Sequence, residues 1–197
     1  MFRPNRYPTA ARQRGATLVI ALLILVLIMM LGITAISTSN TQYKLAGNLQ
    51  FEDSAINSTE TAITTAERAL SDGTTFNSAG FTAYNSATTP HLQPIGRLAA
   101  LAAPNNSPLT MAWDDTNSRC VGSAGVTCSP GGDPSQRYFI ELMSRNNRLR
   151  GSNLAVGGRS SAGCNQVNTY QTTARGLSAR GATKFVQSYF SVLSCPP

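Results

Sequence analysis

The stretch GATLVIALLILVLIMMLGITAI, Gly15–Ile36, decides how the rest of the chain is organised. It holds no charge, and the next charged residue after it is Lys44. A helix rises about 1.5 Å per residue, so some 20 apolar residues match a hydrocarbon core of about 30 Å. Arg3, Arg6, Arg12 and Arg14 all precede the stretch. Basic residues close to one end of a first hydrophobic segment hold that end in the cytoplasm, so the chain beyond about Thr38 is expected outside the inner membrane. A secretory signal peptide fits less well. The apolar run is longer than a signal core, the helical pattern continues beyond it, and no A-x-A cleavage site closes it. A buried helix of a soluble core would show polar interruptions that this run lacks.

The flanking residues make the reading specific. RQRGATLVI at Arg12–Ile20 resembles the class III leader junction of type IV pilins, in which a short basic leader ends in glycine directly before the hydrophobic helix. TQYKLAGNL at Thr41–Leu49, followed by an alanine-rich helix ending in Glu67-Arg68-Ala69-Leu70, is similar to the PilX family of pilus assembly proteins, which are minor pilins. The resemblance covers about the first 70 residues. It implies cleavage between Gly15 and Ala16 by a prepilin peptidase, methylation of the new N-terminus, and incorporation through the helix into a priming or tip complex. The implied partners are other minor pilins, the major pilin, the peptidase, a large tip adhesin and the inner membrane. No cofactor is implied.

One position departs from the general pilin pattern. Most pilins carry a glutamate five residues after the cleaved glycine, where this chain has Ile20. In the pilin assembly model that carboxylate pairs with the N-terminal amine of a neighbouring subunit, because an unpaired charge in lipid is costly. A subunit without it needs no such neighbour. PilX-like proteins and the tip pseudopilin of type II secretion share the lack, which fits the distal tip of a filament.

Four segments follow. Residues 1–15, with Pro4, Pro8 and four arginines, read as a leader; 16–37 as the transmembrane half of a long helix; 38–72 as its periplasmic amphipathic half; and 73–197 as a globular head. No proline occurs between Pro8 and Pro90, so a helix from Ala16 to Leu70 would run about 80 Å. Leu49, Ile56, Ile63 and Leu70 recur every seven residues as one apolar stripe, with Ala62, Ala66 and Ala69 beside it. The stripe is expected to pack on the head, with a seam against neighbouring helices as the alternative. Gly32 and Gly47 are expected weak points, since glycine in a helix costs about 1 kcal/mol relative to alanine. Asp72-Gly73 is a plausible end.

Residues 74–135 are rich in Ser, Thr, Asn, Gly and Pro and read as a long αβ-loop with one short helix, the apolar pieces being Leu98–Ala103 and Met111–Trp113. In pilins such a loop forms much of the exposed surface. Tyr138–Met143, Thr169–Arg175 and Lys184–Leu193 are β-branched and aromatic, and a small antiparallel sheet over 137–195 is expected. A long helix followed by such a sheet is an α+β, pilin-like arrangement.

Cys120, Cys128, Cys164 and Cys195 all follow the membrane segment, and in an oxidising periplasm an even number reads as a disulfide framework. Three pairings are possible. The favoured one joins Cys120–Cys128 in a local loop and Cys164–Cys195 at the C-terminal tail. Zinc would want closer spacing and histidine, so no metal is expected.

No catalytic constellation emerges. The single histidine, His91, lies in a Thr-Pro-His-Leu segment and reads as a surface residue, and there is no phosphate loop or G-x-S-x-G. Asp114, Asp115 and Asn117 could form a weak calcium site, but EF-hand spacing is absent and a solvated turn is the plainer reading. The chain carries 16 Lys and Arg against 9 Asp and Glu, net +7, and loss of the leader arginines leaves +3, which removes most of the case for nucleic acid. Lys44–Asp72 has net −3, whereas 73–197 has +6 with Arg145, Arg148, Arg150 and Arg159. Arg145, Arg148 and Arg150 are a candidate charged docking face for a neighbour's helix. A solvated basic surface is the alternative.

Two other assignments compete with a minor pilin: a tip pseudopilin of type II secretion, and a single-pass membrane protein with a periplasmic binding domain. An anchored enzyme would need a catalytic cluster that the sequence does not show.

Overall fold

The computed structural model describes residues 15–72, 85, 87–148 and 166–194. The chain divides into two units, residues 1–48 and 49–197. Helix α1, Ala16–Ser71, contributes to both.

Among the described residues of the first unit there is only the helix. Every large apolar side chain from Leu18 to Ile36 is 43–68 % exposed, as a segment must be if its surroundings are lipid. Hydroxyls need partners in such surroundings. Thr34 Oγ1 donates to the Leu31 carbonyl at 2.9 Å, Thr38 Oγ1 to Thr34 at 2.9 Å and Thr41 Oγ1 to Ser37 at 3.0 Å, so these three are satisfied within the helix. Gly32 and Gly47, expected as weak points, lie within unbroken helix.

The second unit is the head. Its strands are β1 (Leu92–Gln93), β2 (Arg119–Val121), β3 (Asp133–Arg148), β4 (Gln166–Leu177) and β5 (Thr183–Ser194), with a four-residue helix α2 at Arg97–Ala100. They form one sheet in the order β1-β3-β4-β5, with β2 also on β3. β3, β4 and β5 pair antiparallel, but β1 runs parallel to β3, so the sheet is mixed where a purely antiparallel one was expected. The cause is local: Leu92-Gln93 is too short to show a period, and it is held by Ile140, whose N–H donates to the His91 carbonyl at 2.8 Å.

Side chains alternate across a strand, and both faces of β3 are covered. Tyr138, Ile140 and Leu142 join Tyr170 and Ala174 of β4, Leu92, and Ala62, Ala66 and Leu70 of α1 in one core. On the other face Phe139 packs with Trp113, Met111 and Leu98, which the loop supplies, and Phe185 of β5 packs against that cluster. Helix, sheet and loop are thus three layers. The Trp113 indole N–H donates to the Pro108 carbonyl at 2.8 Å, and the Arg175 guanidinium lies 5.4 Å over its ring. The apolar pieces of the loop therefore cover the sheet's second face.

The helix comes unusually close to the sheet at one point. A Cβ added to Gly176 would overlap the Ala55 carbonyl oxygen and both the hydroxyl and amide of Thr59. Thr59 Oγ1 donates to Ala55 O at 2.7 Å and lies 3.3 Å from Lys184 O, which ties α1 to the start of β5.

Candidate assembly surfaces

Helix α1 begins at Ala16, directly after the exposed Gly15. Ile20 is 57 % exposed within the apolar stretch. The basic residues of 1–14 lie outside the described part of the chain.

Only the C-terminal half of the heptad stripe lies on the face that the sheet covers: Leu70 is in the core and Ile63 packs against it. Ala55, Thr59, Ala62, Ala66 and Leu70 are buried, Ile56 and Ile63 are only half-buried, and Leu49 is 52 % exposed. On a straight helix a seven-residue repeat drifts about 20° per heptad, so a stripe that faces the sheet at Leu70 has turned well away by Leu49. The buried set instead follows spacings of three and four with small side chains, which allow the close approach at Gly176. Leu49 is left facing outward from the helix.

The opposite charges of helix and head are partly used up inside the subunit. Lys184 pairs with Glu52, and Ser188 Oγ donates to Glu67 at 2.7 Å. Arg180 lies 4.9 Å over the Phe51 ring. Arg137, buried, donates to Asp115 at 2.8 Å and to Ser118 Oγ at 3.0 Å. That guanidinium holds the Asp115 carboxyl below its usual range, against the opposing effect of partial burial. Of the candidate docking arginines, Arg148 is exposed, Arg145 is half-buried, and Arg150 lies outside the described residues.

Cys120 and Cys128 form a disulfide, with Sγ atoms 2.07 Å and Cα atoms 5.3 Å apart. Cys164 and Cys195 lie outside the described residues. Asp115 approaches both sulfurs, but sulfurs joined to each other are not thiolate donors, so the group does not make a metal site. Asp114 Oδ1 accepts from the Thr116 N–H at 2.9 Å and the Thr116 hydroxyl at 2.6 Å, the geometry of an Asx turn.

His91 differs from its expected place at the surface. It is 8 % exposed and meets the Tyr138 ring edge-on at 5.8 Å. Burial, aided by the charge of Arg119, lowers its pKa to about 4, so the ring is neutral at physiological pH. Its Nδ1 has no hydrogen-bond partner among the described residues. A loop histidine becomes a core residue here because β1, which follows it, is drawn into the sheet.

Residues 14–64 match a family model described as PilX N-terminal. Over that segment the chain is similar to the PilX family. The match takes in the helix from its start almost to its end and none of the sheet. No curated protein and no solved structure matches the chain. The match supports a type IV pilus-related protein, and the exposed apolar N-terminal half-helix fits single-pass membrane anchoring.

Proposed function

We propose that this chain is a minor pilin that takes part in priming pilus assembly as a member of a tip complex, acting by assembly and not by catalysis. The observation that carries the reading is the PilX N-terminal match over a helix that starts at Ala16 and holds Ile20 in place of the pilin glutamate. Prepilin peptidase cuts after Gly15 and methylates Ala16. The arginines before the helix keep that end cytoplasmic, and the head is periplasmic until the subunit enters the filament. The helix then meets other minor pilins and the major pilin, with Leu49 on the part of its surface that the head leaves free. Arg145, Arg148 and Arg150 receive a neighbour's acidic helix.

The second disulfide joins Cys164 to Cys195. Gln166 and Ser194 are directly opposite in the β4–β5 ladder. Cys164 lies two residues before one and Cys195 one residue after the other, within the reach of short extended segments.

Ile20 also suits the tip pseudopilin of a type II secretion system, so the test separates the two. The tagged full chain is isolated from detergent-solubilised membranes of its own cells, and piliation is counted after its gene is deleted. Co-isolation with minor pilins and loss of pili is expected. Recovery with secretion components alone transfers the chain to the pseudopilus, and recovery with neither refutes both.

A further inference from the structure

The outer edge of β5 is built differently from the other edge of the sheet. β3 is covered on its free side by β1 at Ile140-Glu141 and by β2 at Asp133–Tyr138, and its ladder with β4 is interrupted twice by register shifts. β5 pairs with β4 at twelve successive positions without a shift, and among the described residues no strand pairs with its other side. Natural edges are blunted by charges, prolines or bulges. From Phe185 to Ser194 β5 has no charge, proline or glycine. The one lysine of the strand, Lys184, is engaged by Glu52.

The exposed apolar side chains of the head gather at the same place. Among the described residues, the large ones outside α1 are Ile95, Leu109, Met143, Val186, Tyr189 and Leu193. Three of these six are on β5, and Leu109, 69 % exposed, borders a groove formed by Pro108, Thr173, Phe185 and Gln187. A concentration of exposed apolar surface beside unpaired main-chain groups marks a contact site. The layers above and below limit what can enter. Glu52 and Glu67 place α1 over one face of β5, and the Pro108-Leu109 loop lies beside the other.

We propose that the β5 edge receives an extended, uncharged, proline-free segment of a partner protein as an added strand. Main-chain hydrogen bonds to β5 supply affinity, and alternate apolar side chains of the segment enter the Leu109–Phe185 groove and supply selectivity. A second copy of this chain is disfavoured, because it would bring its own helix and loop layers to an edge already flanked by both. The inference goes beyond contact through the helix and holds equally for a pilus or a secretion pseudopilus.

The test places a photo-crosslinking amino acid at Gln187 in the full chain, in its own cells. The expected result is an adduct whose joined residues lie in an extended uncharged segment of another protein. The adduct is lost when Leu193→Lys or Leu109→Glu is added, while the melting temperature of either variant in detergent is unchanged. Two substitutions on different elements keep the test standing if one of them misfolds. Hydrogen exchange supplies a second readout: alternate β5 amides that exchange freely in the isolated full chain become protected in the adduct. An adduct to residues 149–165 of the same chain, an adduct to a second copy, no adduct, or an adduct indifferent to both substitutions would each overturn the proposal.

Discussion

Residues 18–36 and 49–71 belong to the same helix, yet they choose side chains by opposite rules. The first part is built mainly from leucine, isoleucine, valine and methionine, all exposed; the second buries Ala55, Thr59, Ala62 and Ala66, with Leu70 as its one large buried residue. Lipid is a fluid and accommodates any apolar bulk, so size costs nothing there. A folded sheet is a fixed surface, and the closeness of backbone to backbone at Gly176 requires small side chains opposite it. The apolar volume of a helix therefore reports its solvent, and the place where large residues give way to small ones marks where the solvent changes.

The comparison is broken most severely at the point of closest approach. Gly176→Ala forces a methyl group into the Ala55 carbonyl and Thr59, and should cost about 3 kcal/mol or more, read as a lower melting temperature of the detergent-solubilised chain. If melting is unchanged, α1 does not pack on β4 as described.

Acid should separate the two parts next. The folded pKa of His91, about 4, lies below the usual histidine value of about 6.5, so the unfolded chain takes up the proton first. Head stability should be full above about pH 6.5 and fall by roughly 3 kcal/mol as the pH drops to about 4. His91→Gln should flatten this part of the melting profile, while the helicity of residues 16–48, which contain no titratable side chain except Tyr43 and Lys44, should not change between these pH values. A wild-type profile flat over this range would mean that His91 is accessible to water.

The same alanine enlargement made in both parts gives the smallest effect and the most direct contrast. Ala66→Leu overfills the contact with the sheet and should cost about 2 kcal/mol, whereas Ala21→Leu should fall within about 0.5 kcal/mol. Equal costs, measured by thermal melting in detergent, would remove the distinction.

How much of this was legible in the sequence followed from where the signal lay. The membrane segment declares itself by composition. The centres of β3, β4 and β5 do so by aromatic and β-branched residues, but their polar ends, such as Asp133–Gln136, join the sheet only through pairing with neighbours. β1 and β2 are too short to carry a period. Leucine and isoleucine at heptad spacing are the conspicuous stripe on α1, although alanine and threonine make the closest part of the contact and only Ile63 and Leu70 of the stripe join it, because conspicuousness follows side-chain size and a close contact excludes it. Cys120–Cys128 was legible from its separation of eight residues. The burial of His91 and the pairs Glu52–Lys184 and Asp115–Arg137 join residues far apart along the chain, so no local pattern announces them.

The central claim, that Gly15 ends a leader and Ala16 begins a pilin subunit, is tested most directly by the N-terminal residue and intact mass of the membrane-extracted protein, from cells with and without functional prepilin peptidase. The account predicts Ala16 at the N-terminus, with the mass of one added methyl group, only when the peptidase is active. Met1 or Phe2 retained in both would contradict it and leave the helix a simple membrane anchor.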